Sequence, residues 1–195
     1  ILPEKKAKGW DDIGLALFDV DNDGDLDIYT ASGGNVSKPN TSAYQDKLYI
    51  NDGKGNFRTD TKALPENFIS KSCVRATDFD NDGDLDMVVN NINDKAGVYK
   101  NLLREKKTDS ANYLNIQFKG DRFNINGIGA IAEIYYDNGK HQLWENSPYR
   151  GYLSSIQNMA HFGLGKTTQV DSVIIHWPNG MISRDKNVPA NQTLT

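Results

Sequence analysis

Ten aspartates fall into two nine-residue blocks with one pattern. Asp19-Val20-Asp21-Asn22-Asp23-Gly24-Asp25-Leu26-Asp27 recurs as Asp78-Phe79-Asp80-Asn81-Asp82-Gly83-Asp84-Leu85-Asp86, and both read D-x-D-x-D-G-x-L-D. Five carboxylates this close repel one another by roughly 1 kcal/mol or more per near pair, even in water. A fold that gathers them implies a bound hard cation, and Ca²⁺ accepts many oxygen ligands in flexible geometry. Carboxylates at the first, third and fifth positions converge while the chain curls round the ion. Glycine at the sixth supplies the sharp turn. The seventh residue, Asp25 or Asp84, is expected to offer its backbone carbonyl and to point its side chain outward. A carboxylate at the ninth position closes the shell. Asp19, Asp21, Asp23 and Asp27 are thus the expected side-chain ligands of one Ca²⁺, and Asp78, Asp80, Asp82 and Asp86 those of a second.

The elements around the loops are strands. An EF-hand places a bidentate Glu at the twelfth position between two helices, but the twelfth residues here are Thr30 and Val89. Gly14–Phe18 and Ile28–Ala31 flank the first loop, and Cys73–Thr77 and Met87–Val89 the second. These short apolar and β-branched runs predict β-hairpins. Cys73, alone of its kind, is expected to be a small buried strand residue.

The formal net charge is −4, yet the loops hold ten of the 26 acidic residues. The other 16 face 22 Lys and Arg, and two Ca²⁺ bring the total to about zero. The acidity therefore belongs to the metal sites. The remaining basic residues form no run of the kind that marks nucleic-acid binding. No apolar stretch is long enough for a membrane helix, and the start Ile1-Leu2-Pro3 reads as the interior of a longer or processed chain.

The blocks lie inside a longer repeat. Leu48-Tyr49-Ile50-Asn51 follows the first loop and Val98-Tyr99-Lys100-Asn101 the second, with a Gly-rich turn, Asn51-Asp52-Gly53-Lys54-Gly55-Asn56-Phe57, after the first. This pattern resembles the FG-GAP/VCBS-type repeat, a likeness covering residues 10–103. It implies an all-β fold in which residues 1–103 form part of a β-propeller with a calcium loop in each blade. A propeller has about four to eight blades, so further blades are expected in a longer parent chain.

Residues 104–111 read as a polar linker. Beyond it, Tyr113–Phe118, Ile131–Tyr136, His141–Trp144 and Val173–Trp177 read as strands. Asn138-Gly139 and Pro178-Asn179-Gly180 supply turns. Four to seven strands without helical period predict a small β-sandwich or barrel over residues 112–195. Asn126–Ala130, Gly151–Ser154, His161–Gly165 and Val173–Gly180 give this part a resemblance to the ASPIC/UnbV domain. Calcium repeats followed by such a domain are similar to secreted bacterial surface proteins and cartilage acidic protein-like animal proteins.

The resemblance implies a non-enzymatic extracellular or cell-surface protein, secreted or anchored to an outer membrane. Calcium would brace its β-scaffold for adhesion, or for binding of a protein or glycan. Two alternatives differ in class. A glycan-binding accessory protein of a bacterial polysaccharide-uptake system would expose rings among Tyr135, Tyr136, Trp144, Tyr149, Tyr152 and Trp177. A glycan hydrolase would use Glu133 and Glu145 as its carboxyl pair. No two of His141, His161 and His176 sit at metal-ligand spacing in the sequence, and His161 is expected to bond backbone. Gly127-x-Gly129 and Gly163-x-Gly165 predict tight turns or bulges. Asn35, Asn40 and Asn191 head glycosylation sequons.

Overall fold

Alternation of apolar and polar residues is answered by strand throughout. A computed structural model describes residues 12–34, 41–60, 62–106, 111–149 and 155–195. These contain fourteen β-strands, one short 3-10 turn at Ser42–Tyr44 and no α-helix. The Asn35 and Asn40 sequon positions, residues 107–110 of the linker, and Gly151–Ser154 with Tyr152 lie outside the described residues.

The described chain divides into two compact units, one from residues 12–21 and 25–106, the other from 22–24 and 111–195. In the first unit, β1 (Asp12–Phe18), β2 (Asp27–Ser32), β3 (Lys47–Asn51) and β4 (Phe57–Asp60) form an antiparallel meander in sequence order. β5 (Lys71–Thr77), β6 (Asp86–Asn91) and β7 (Gly97–Tyr99) form a second, shorter one. Meanders of this kind build propeller blades. Phe18, Tyr29, Ala31, Leu48, Ile50, Val74, Met87 and Val89 make their shared apolar core.

Cys73 is exposed, not buried as its strand position led one to expect. The register between β5 and β6 shifts between Lys71 and Cys73. This bulge breaks the period of two, so Lys71 and Val74 turn inward while Cys73 turns out. Lys71 is fully buried, and its ammonium donates to Tyr44 O and Asn67 O, each at 2.7 Å. It lies 3.4 Å from Asp46, which in turn accepts from the Tyr29 hydroxyl at 2.6 Å and Ser32 N at 3.0 Å.

The second unit contains two sheets and no closed barrel among its described residues. One has the order β10-β9-β12-β13, from Lys140–Glu145, Ile131–Tyr136, Gln169–His176 and Ile182–Pro189. The other is β11-β8-β14, from Met159–Gly165, Asn112–Gln117 and Gln192–Leu194, with β14 parallel to β8. Both sheets give alternate residues to one core. Leu114, Ile116, Ala160, Phe162 and Leu164 come from the smaller sheet, and Ala132, Ile134, Tyr136, Val173 and Ile175 from the larger. Facing sheets with a common core are a sandwich. The Gly pairs do what their spacing predicts. Gly127 and Gly129 have positive φ, and the β8–β11 register shifts between Gly163 and Gly165.

Candidate metal centres

Each acidic loop is the connection of a hairpin, from β1 to β2 and from β5 to β6. The same two positions take left-handed backbone in both: Asn22 (φ 56°) and Gly24 (φ 98°), then Asn81 (φ 61°) and Gly83 (φ 95°). Asparagine and glycine are the residues that tolerate this region. The ninth-position aspartates are fixed identically. Asp27 accepts Val20 N at 2.9 Å and Asn51 N at 2.8 Å, and Asp86 accepts Phe79 N at 3.1 Å and Asn101 N at 2.8 Å. The side-chain amides of Asn51 and Asn101 donate to the carbonyls of Leu26 and Leu85. The Tyr-x-Asn strand ending therefore reaches back and clamps each loop. Asn51 and Asn101 are site residues that the repeat comparison could have revealed.

Carboxylate oxygens converge in two equivalent groups, Asp19 with Asp21 and Asp27, and Asp78 with Asp80 and Asp86; within each they lie within 4.8 Å of one another. Asp23 and Asp25 stand outside the first group. Asp82 stands outside the second and joins Asp80 and Glu105 instead. The structure thus brings together the first, third and ninth positions of each loop. Asp82 also has a backbone role. Asp78 accepts the N–H groups of Asp82 and Gly83, both at 3.1 Å, while Asp82 accepts that of Asp84 at 3.2 Å.

Asp84 departs from expectation. Its side chain is not turned outward but is fully buried. One carboxylate oxygen accepts Arg104 N at 2.9 Å, and the other, Oδ1, has no protein partner. Burial raises the Asp84 carboxyl to about 7, with Asp82 and Asp86 adding repulsion. Burial is also the main cause of the raised values of Asp78 and Asp86. A buried carboxylate with an unsatisfied oxygen is costly unless a proton or cation meets it. The donors are oxygens alone, without the imidazole or thiolate that softer metals favour. These groups can hold a metal, and their chemistry fits calcium.

A lysine lies against the second group. Lys100 Nζ is 2.5 Å from Asp80 Oδ2, 3.6 Å from Asp82 Oδ2 and 2.5 Å from Glu105 Oε1. It holds the Asp80 carboxyl below its ordinary range. Sequence spacing gave no sign of Lys100 or Glu105, because both come from beyond the loop.

The other candidate residues are scattered. His161 bonds side chains, not backbone: Asn115 Oδ1 and Asn22 Oδ1, each at 2.8 Å, with burial lowering its ring to about 4. Glu133 lies on the outer face of β9 and accepts the Tyr135 hydroxyl at 2.7 Å. His141 and His176 approach it from neighbouring strands, at 3.4 and 3.5 Å. Register alone creates this convergence, since Leu143 and Ile174 pair with Glu133. Glu145 pairs with Ile131, so it sits diagonally from Glu133. Of the aromatics, Tyr136 is core, Trp144 and Trp177 pack against the core, and Tyr149 is exposed.

A model of the family described as FG-GAP-like repeat matches residues 19–89, and one described as ASPIC and UnbV matches residues 120–195. The chain carries an FG-GAP-like repeat and an ASPIC/UnbV domain. It is similar to human Cartilage acidic protein 1, 33% identical over 110 residues, covering 56% of this chain and 16% of that protein. The mouse protein of the same name is 33% identical over 109 residues, covering 55% of this chain and 16% of its own length. The matched segment thus spans about a sixth of these relatives. Among the described residues, no helix is long and apolar enough to cross a membrane.

Proposed function

We propose that this chain belongs to an extracellular calcium-binding protein in which two loops brace a β-scaffold for adhesion or for binding a protein or glycan. It has no catalytic role of its own in this reading. The observation that carries it is the repeated construction of the carboxylate groups, with Asp27 and Asp86 each clamped by two backbone donors from equivalent positions of the repeat. The compartment follows from affinity: loops of extracellular modules bind calcium with dissociation constants of about 0.1–1 mM, and only outside the cytosol would they fill. The name of the human and mouse relatives associates them with cartilage, which supports the same compartment.

The Tyr135 hydrogen bond lowers the Glu133 carboxyl, so Glu133 lacks the raised carboxyl of a glycosidase general acid.

Thermal unfolding with and without chelator tests the proposal. In about 2 mM calcium, a loop of that affinity gains about 0.6–1.8 kcal/mol of stability. Two loops therefore shift the melting temperature by several degrees or more. Asp21→Ala or Asp80→Ala each removes roughly half of the calcium-dependent part. A melting curve indifferent to chelator would refute calcium bracing.

A further inference from the structure

We infer that Lys100 is a built-in counter-cation of the second loop: it must leave Asp80 before that carboxylate accepts a divalent cation, and so sets the calcium concentration at which that loop fills. This rests on the calcium reading proposed above. Asp80 belongs at once to the group with Asp78 and Asp86 and to the group with Asp82 and Glu105. Asp80 Oδ2 faces the ammonium, so the carboxylate that would help hold a metal is already engaged by a cation. In the same loop, Oδ1 of fully buried Asp84 is a polar atom without a protein partner, which a proton or a cation would satisfy.

Lys100 can give way. Its side chain is half-exposed, and Glu105, exposed beside it, offers an ion pair outside the loop. Matching clamps by Asn51 and Asn101 make residue 50 the structural equivalent of residue 100. In the first repeat that residue is Ile50, which packs in the apolar core. Lys100→Ile therefore gives the second loop the residue of the first and removes the competing charge.

Calorimetric titration of the whole chain with calcium chloride tests this, using the parent, Lys100→Ile, Lys100→Gln and Lys100→Arg. A like charge at ion-pair distance, screened by water around a half-exposed side chain, predicts roughly tenfold tighter binding in one of two steps for the Ile and Gln variants. The other step, and both steps of the Arg variant, should stay within about twofold, since the charge near the first loop is unchanged and Arg keeps its own. Melting in saturating calcium checks folding, and Gln serves where Ile disturbs it. Calcium uptake unchanged or weakened in the neutral variants overturns the inference and spares the calcium reading. Absence of uptake by every protein overturns both.

Discussion

Lys71→Met will expose how the first unit tolerates a charge in its core. The ammonium is fully buried, donates to two carbonyl oxygens at 2.7 Å and lies 3.4 Å from the Asp46 carboxylate. Methionine preserves the stem's volume, so little is lost in packing. What is lost is the partner of a carboxylate that keeps only the Tyr29 hydroxyl and Ser32 N, together with the donor for two carbonyls. Breaking a buried pair from one side costs about 3–5 kcal/mol, a large part of the ~5–15 kcal/mol that holds a domain folded. Guanidinium unfolding in calcium gives the number, and adding Asp46→Asn should return part of the loss because no lone charge remains. The pH dependence has a definite sign. Burial already raises the Asp46 carboxyl, against the lowering influence of Lys71. Without the ammonium it rises further, and the folded state holds a proton that the unfolded state releases near pH 4. Stability present at low pH is then lost as pH climbs through the folded value, so the deficit of the variant is smaller at pH 5 than at pH 8. A loss under about 1 kcal/mol, the scale of a surface pair, would refute the account.

Two further outcomes follow from the same physics. In chelator, the raised carboxyls of Asp78, Asp84 and Asp86 bind protons more tightly folded than unfolded. Calcium should therefore raise the melting temperature by more at pH 8 than at pH 5, because at the lower pH protons already meet these carboxyls; an equal calcium shift at both pH values would contradict it. Gly127→Ala should cost about 1–3 kcal/mol in denaturant unfolding. Its φ is +59°, and a Cβ there would stand 2.8 Å from Trp177 Cζ3 and 3.2 Å from Phe118 Cβ, so a loss under about 0.5 kcal/mol would mean the ring moves aside freely.

Sequence by itself determined what is local. Aspartate spacing and the Asn and Gly positions specify loops whose curl depends only on neighbouring backbone angles, and both loops adopt the same φ pattern. Alternation placed the hairpin strands, and Asn138-Gly139 lies, as its turn chemistry demands, between β9 and β10 with positive φ at both residues. Tertiary structure decided whatever depends on register. A single bulge in β5 sends Lys71 inward and Cys73 outward, and no periodicity foretells where a bulge falls. Pairing of β9 with β10 and β12 brings His141 and His176 to Glu133, from positions 8 and 43 residues away in the chain. Return of the chain after β7 buries Asp84 under Arg104 N and carries Lys100 to Asp80. The convergence of the first, third and ninth carboxylates of each loop was legible because a nine-residue curl is a matter of local backbone geometry; the burial of Asp84 and the approach of Lys100 were not, because they depend on groups that only strand pairing brings within Coulombic reach.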